Sequence, residues 1–457
     1  MTKINAIDKY INDQLEQNLN ELKKLVEIPS VSAKNEGLSE CAQIVAELFS
    51  KRGFDIKIHP TKGAPIITAR FDGQSDNTIL FYNHYDVQPI EPLDLWESPP
   101  FEVAIREEKV FGRGTNDNKG NITNRLLAID SLLSINDTLP CNVIFLIEGE
   151  EETSSVHLEE FVRENKKLLA ADGCIWEFGA VDHNDIPLQY LGLRGICYVE
   201  LEVETASSDA HSGLGGSIFP NSAWHLVWAL ASLKSPDEKI LLPHFYDDVI
   251  PPSEEDKQYF SKIADSSKEY KTRYGIKEFL HGIENGLDLH IAEVFQPTCT
   301  ICGLNSGYQG PGSKTVLPAK ANAKIDFRLV PNQRPENVLK QLRDHLDKNA
   351  FHDVKINYLG GESPARTNPK EPFVQLVVSC AKDVYGRPMQ IVPMTGGSGP
   401  NFFVQETLGV PIVSIGVGYP DSKAHAPNEN FRIKDYINTA RHLTRILIEF
   451  GKVENNK

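Results

Sequence analysis

Residues Asn142–Ile147 read NVIFLI, a short and almost wholly apolar run. Without polar alternation, such a run belongs to a strand covered on both faces, which is the situation of strands in a parallel, helix-flanked sheet. A second run, Asn77–Tyr82 (NTILFY), has the same character, and Pro65–Phe71, Ala170–Phe178 and Pro411–Val417 are further strand candidates. Between them, apolar residues recur at helical spacing from Ile4 to Leu25, over Leu38–Arg52 and Ile122–Ile135, and later over Val374–Tyr385 and Lys434–Lys452. Strands alternating with helices predict βαβ units and a largely parallel sheet, an α/β fold.

Past Leu191 the texture changes. Ile196–Thr205 (ICYVELEVET) alternates apolar and polar residues, as a half-solvated strand does. Asn221–Lys234 reads as an amphipathic helix, Leu241–Gly286 is charged and expected to be helical in pieces, and strands return at Thr298–Gly303 and Ala321–Val330. Gly, Pro and Ser cluster at Glu362–Asn368, after which the α/β texture resumes. At 457 residues the chain is long for a single core. The expectation is a discontinuous domain of residues 1–191 and 367–457, interrupted at 192–366 by an α+β domain with an antiparallel sheet and helices.

Charge narrows the partners. There are 47 basic and 63 acidic residues, a net −16, which argues against nucleic acid and anionic membrane surfaces. No apolar run approaches a membrane span, and the N-terminal stretch lacks the apolar core of a signal peptide. Seven cysteines without framework spacing suit a reducing cytoplasm. Cys299 and Cys302 form a C-x-x-C on a strand-like run, with no second pair, and read as buried thiols.

The acidic and histidine residues fall where strands end. His84 and Asp86 follow one strand, Glu151 and Glu152 a second, Glu177 a third, and His425 lies in the loop after a fourth. Asp117 sits in a Gly-rich loop before a helix. Open α/β sheets bind ligands outside the carboxyl ends of their strands. Carboxylates gathered there repel one another unless a cation sits among them, and two His with several carboxylates suit zinc, or manganese or cobalt.

Seven segments, HYDVQP, GRGTNDNKG, EGEEE, SSDAHSGLGG, GSKTVLPAKANAKIDFRLVP, GGSGPN and AHAPNE, occur in this order. In them the chain resembles the co-catalytic zinc metallopeptidases, the family of carnosinase-like dipeptidases, aminoacylase, glutamate carboxypeptidase and succinyl-diaminopimelate desuccinylase. The resemblance implies a catalytic domain with a mostly parallel sheet and an inserted lid that also dimerises. It implies two zinc ions per chain, one held by His84, Asp117 and Glu177, the other by Glu152, His425 and the same Asp117. Asp86 would orient His84, and Glu151 would be the general base. His211, in Asp209-Ala-His-Ser-Gly, would supply a donor to the oxyanion. Asn118 departs from the family pattern, which carries a second acid at that position.

Arg328, in the strand IDFRLVP, suits bidentate capture of a substrate carboxylate. Ser398, the backbone N–H groups of Thr395–Gly399, and Thr315 are candidates for the same task. The expected activity is hydrolysis of dipeptides or short peptides with a free carboxylate. Deacylation of N-acyl amino acids on the same machinery, or a non-catalytic scaffold, are the alternatives. A homodimer through the inserted domain is implied by resemblance.

Overall fold

The structure is a computed structural model that describes residues 2–454. It begins with helices α1 (Lys3–Asp13), α2 (Leu15–Val26) and α3 (Leu38–Ser50), then strands β1 (Asp55–His59), β2 (Ile66–Phe71) and β3 (Thr78–His84). Helix α4 (Lys119–Asn136) and strands β4 (Asn142–Glu148) and β5 (Gly173–Trp176) follow. Next come β6 (Gly195–Glu204), α5 (Ser222–Leu233), α6 (Gly286–Phe295), β7 (Thr298–Ser306), β8 (Lys320–Leu329), α7 (Pro335–Lys348) and β9 (Lys355–Glu362). Helix α8 (Pro372–Tyr385), strand β10 (Ile412–Ser414) and helix α9 (Ile433–Phe450) complete the set used below.

Two compact units form. One runs from the N-terminal segment to Leu191 and includes Arg366–Pro393 and the chain from Pro400 onward. The other is Gly192–Ala365 joined by Met394–Gly399, a six-residue return that composition does not announce.

The first unit is built on a six-stranded sheet in the order β1-β2-β4-β3-β5-β10. The pairs β3–β4, β3–β5 and β5–β10 are parallel, and β1–β2 and β2–β4 are antiparallel. Residues Val143 to Ile147 of β4 are each at most 1% exposed, which is why that run carries no polar alternation. Each such aliphatic or aromatic side chain contributes roughly 1.5–3 kcal/mol by leaving water.

Helix α4 is buried along most of its length, and α1, α2 and α9 all pack on it. Its buried polar residues bond mainly to neighbouring backbone. Arg125 donates to Tyr82 O and Trp176 O, both at 2.6 Å, and Asn124 to Tyr436 O at 2.6 Å. The expected single N-terminal helix is broken at Gln14. The break turns Ile7 and Ile11 on α1, and Leu22 and Leu25 on α2, inward separately.

The second unit has a four-stranded antiparallel sheet, β7-β8-β6-β9, with one face packed on α5 and α7. Asn221 caps α5 by accepting from Ala223 N and Trp224 N at 2.9 and 3.1 Å. Within Leu241–Gly286 the helical pieces are Glu254–Phe260 and Ser267–Tyr274, with a single 3₁₀ turn at Leu280–Gly282. Cys299 is buried but Cys302 is exposed, correcting the reading of both as buried thiols. Three residues after Cys299, Cys302 faces the open side of an edge strand, at a β-bulge between Ile301 and Gly303. Among the described residues no helix is long and apolar enough to cross a membrane.

One buried base predicts an acid limit to stability. His442, on α9, donates from Nε2 to Val377 O at 2.9 Å on α8, and burial pushes its pKa down to about 4. The unfolded chain therefore binds the proton first. Stability present above pH about 6.5 is lost as pH falls towards 4. In metal-free protein, His442→Gln should narrow the difference in unfolding free energy between pH 7 and pH 4 by about 2–3 kcal/mol, measured by urea titration.

Candidate metal centre

His84 closes β3 and is fully buried. Its Nδ1 lies 3.1 Å from Asp86 O and 3.3 Å from Asp86 Oδ1, two acceptors that keep the proton on that nitrogen. The Nε2 lone pair is thereby turned to ligation, the usual arrangement of a histidine that binds metal. Around Nε2 stand Asp117 Oδ1 at 3.0 Å and Glu177 Oε2 at 3.1 Å. Glu177 directly follows β5.

The other oxygen of Asp117 lies 3.0 Å from His425 Nε2, which is also 3.1 Å from Glu152 Oε2. Asp117, Glu152 and His425 offer ligand atoms all within 4.8 Å of one another. His425 sits in the left-handed region at φ 59° and is about half exposed, whereas His84 is sealed.

Supporting contacts explain how the loops hold this shape. Asp86, itself fully buried, accepts from the backbone N–H groups of Glu151 and Glu152 at 3.2 and 3.1 Å. It thus ties the end of β3 to the turn after β4, beyond orienting His84. Gln88 Nε2 donates to Glu152 Oε2 at 2.8 Å. The Asp117–Asn118 peptide is cis. Asn118 donates from Nδ2 to Glu177 O at 3.0 Å and accepts from Asn83, which in turn accepts from Arg125. A carboxylate at 118 could not make the bond to Glu177 O. In this chain the amide joins the loop to the Glu177 segment.

The electrostatics follow from burial and crowding. Burial opposes a charge on His84, yet the Glu177, Asp117 and Asp86 carboxylates outweigh it and raise its pKa well above the ordinary value. Hydrogen bonding to the Asp117 and Glu152 carboxylates raises His425 to about 10. Burial, reinforced by Glu177, pushes the Glu151 carboxyl well up, and burial also raises Glu177. For Asp117 burial is overcome by the two imidazoles, which hold it far below the carboxylate range. A field that draws protons onto both histidines is one that favours a cation.

A divalent metal fits these residues on structural grounds. Glu152 Oε1 is buried without a hydrogen-bond donor, and Glu177 Oε2 is buried beside only the His84 imidazole. Acceptor oxygens on two of these carboxylates are thus left unsatisfied by the protein. The five side chains are the N/O set that zinc accepts, and manganese or cobalt can replace it.

In the second unit the structure brings together two pairs of predicted residues. Arg328 Nη1 donates to Ser398 Oγ at 2.9 Å, and Arg328 Nε bonds Asp326 Oδ2 at 2.9 Å. Ser398 and the buried Gly399 lie in the returning segment Met394–Gly399, fixed by Arg194 N donating to Gly397 O at 2.9 Å. His211 pairs with Val316 in a short ladder, beside Thr315, whose carbonyl accepts from Ser212 N at 3.0 Å. His211 Nδ1 accepts from Gly213 N at 3.0 Å, which leaves Nε2–H as the outward donor of the neutral ring.

Two residues of GRGTNDNKG and AHAPNE, Arg113 and Glu429, carry no local signal that marks them as functional. They form a buried pair at 2.8 Å behind the Asp117 loop.

A cluster of this kind at the carboxyl ends of a mostly parallel sheet defines a metallohydrolase of α/β fold. The model of peptidase family M20/M25/M40 matches residues 80–449, and the chain belongs to that family. It is 28% identical over 405 residues to a beta-Ala-His dipeptidase of Mus musculus, covering 85% of this chain and 80% of that protein. It is 27% identical over 460 residues to the Cys-Gly metallodipeptidase dug1 of Schizosaccharomyces pombe, covering 95% of each. Among solved structures, the M20 family metallo-carboxypeptidase Sso-CP2 from Sulfolobus solfataricus superposes with a TM-score of 0.92 at 37% identity, covering 95% of this chain and 99% of that one. The chain is a metal-dependent peptidase.

Binding by the native state alone should show in stability. Zinc at a hundredfold excess over its Kd should stabilise chelator-stripped protein by about 2.7 kcal/mol, read as a raised unfolding temperature. Asp117→Ala should abolish most of that rise.

Proposed function

We propose that the chain hydrolyses dipeptides, or short peptides with a free carboxylate, at a centre of two zinc ions. The observation that carries this reading is the Asp117 carboxylate, with one oxygen toward His84 and the other toward His425. His84, Asp117 and Glu177 would hold one ion, and Glu152, His425 and Asp117 the other. The dipeptidases named above support the substrate class, since they match the chain over most of its length. When bound, such a pair of ions supplies a water acidified to pKa roughly 7 and polarises the scissile carbonyl.

The protein's own groups do the rest. Glu151 takes the proton of the attacking water and delivers it to the leaving amine, its backbone fixed by Asp86. Asp86 holds the His84 proton on Nδ1. His211 donates from Nε2 to the developing oxyanion, where one donor is commonly worth about 10²–10³ in rate. Arg328 and Ser398, already hydrogen-bonded to each other, receive the substrate carboxylate, with the Gly399 backbone and Thr315 alongside.

On this reading the first unit is catalytic, and the second is a lid that also joins two copies into a homodimer. Support for self-association lies on its surface. β7 is a sheet edge exposing Ile301 and Leu304, and α5 exposes Trp224, Val227 and Trp228. An apolar hollow of about 760 Å³, lined by Val227, Leu230, Leu233, Ile301, Leu304 and Ile325, lies on the same face. The net charge of −16 and the free cysteines accord with a cytoplasmic enzyme on small substrates.

Glu151→Gln should reduce kcat by at least 10², within the range for a positioned base, while zinc content stays near that of the parent. Retained turnover would remove Glu151 as the base. Arg328→Ala should raise KM for dipeptides and leave C-terminally amidated peptides little changed; equal losses on both would refute its role. A faster reaction on N-acyl amino acids than on dipeptides would reassign the substrate class.

A further inference from the structure

Behind the loop that carries Asp117, the Glu429 carboxylate is enclosed by donors. Its Oε2 accepts from Arg113 Nη1 at 2.8 Å and Gly114 N at 3.0 Å, and its Oε1 from Asn116 N and Asp117 N, both at 2.9 Å. Both side chains are at most 1% exposed. The Glu429 carbonyl also accepts from Gly112 N at 3.0 Å, and Arg113 Nη2 donates to Pro89 O at 2.9 Å. The loop has little room to adopt another path. Gly114 sits at φ +85°, and a Cβ on Gly120 would come within 1.8 Å of Thr115 O. Glu429 lies four residues after His425. A single carboxylate therefore joins the segment bearing His425 to the segment bearing Asp117.

We infer that Glu429 is a positioning residue of the metal centre: by holding the backbone of Asn116 and Asp117 it sets the Asp117 carboxylate between His84 and His425. The inference rests on the ligand assignment proposed above. It also explains why the position is a carboxylate. All four partners are donors, and an ionised carboxylate offers acceptors only, whereas an amide of the same shape turns an NH₂ toward two of those donors.

The test measures zinc affinity of chelator-stripped protein by competition with a chromophoric chelator, beside thermal unfolding of the metal-free forms. Glu429→Gln should weaken zinc binding by about 10–100-fold, the usual effect of losing a group that orients metal ligands. Leu132→Ala, a core truncation on α4, should lower the metal-free unfolding temperature and bind zinc like the parent. Should Glu429→Gln fail to fold, Glu429→Asp keeps the charge but draws it back by one methylene, and about a tenfold loss is expected. Parent-like zinc affinity in the folded Glu429 variant, with only its stability reduced, would overturn the inference and leave a purely structural carboxylate. Asp117→Ala separates the two claims. Parent-like affinity there would refute the ligand assignment itself.

Discussion

Each oxygen of the Asp117 carboxylate lies 3.0 Å from an imidazole nitrogen, His84 on one side and His425 on the other. Two more carboxylates, Glu177 and Glu152, complete the two halves. Gathering so much negative charge in a largely buried place is unfavourable unless positive charge accompanies it. In the protein alone the imidazoles take that part, and their raised pKa values express it. A metallopeptidase turns the same imbalance to use, because the field that lifts those values also binds divalent ions.

Holding the arrangement requires rigidity at loop ends, where backbone is ordinarily most mobile. Here the rigidity comes from buried polar groups that bond to backbone. Arg125 spans the ends of β3 and β5 from helix α4, and Asp86 spans β3 and the turn after β4. Asn118 reaches Glu177, and Glu429 reaches Asp117. Every one of these residues would be an expensive choice inside a plain hydrophobic core. Together they couple the packing of the sheet to the positions of Asp117 and the four side chains around it.

Legibility in the sequence followed the physics of each element. Apolar runs such as Asn142–Ile147 announce a doubly covered strand, and acids or histidines at their ends announce a rim. The α/β class and the gathering of acids and histidines at one rim were therefore readable. The choice of His84, Asp117, Glu152, Glu177 and His425 among them rested on the family resemblance. Strand β1 and strand β9 were not, since their exposed edges carry mixed residues that resemble loop. Nor was α7, an amphipathic helix with Pro335 at its start. The return of Met394–Gly399 to the second unit depends on tertiary hydrogen bonds that no local pattern encodes. Cys302 is exposed because, three residues after the buried Cys299, it faces the open side of an edge strand, where period two already places it. Glu429 lay in a quoted segment, but only three-dimensional structure reveals that all four of its partners are donors.

Anomalous diffraction at the zinc edge, on crystals grown from zinc-loaded protein, would show directly whether Asp117 lies between two ions. Two zinc peaks per chain are expected on opposite sides of the Asp117 carboxylate, one contacted by His84 and Glu177, the other by Glu152 and His425. A single peak, or zinc held by other side chains, would contradict this arrangement.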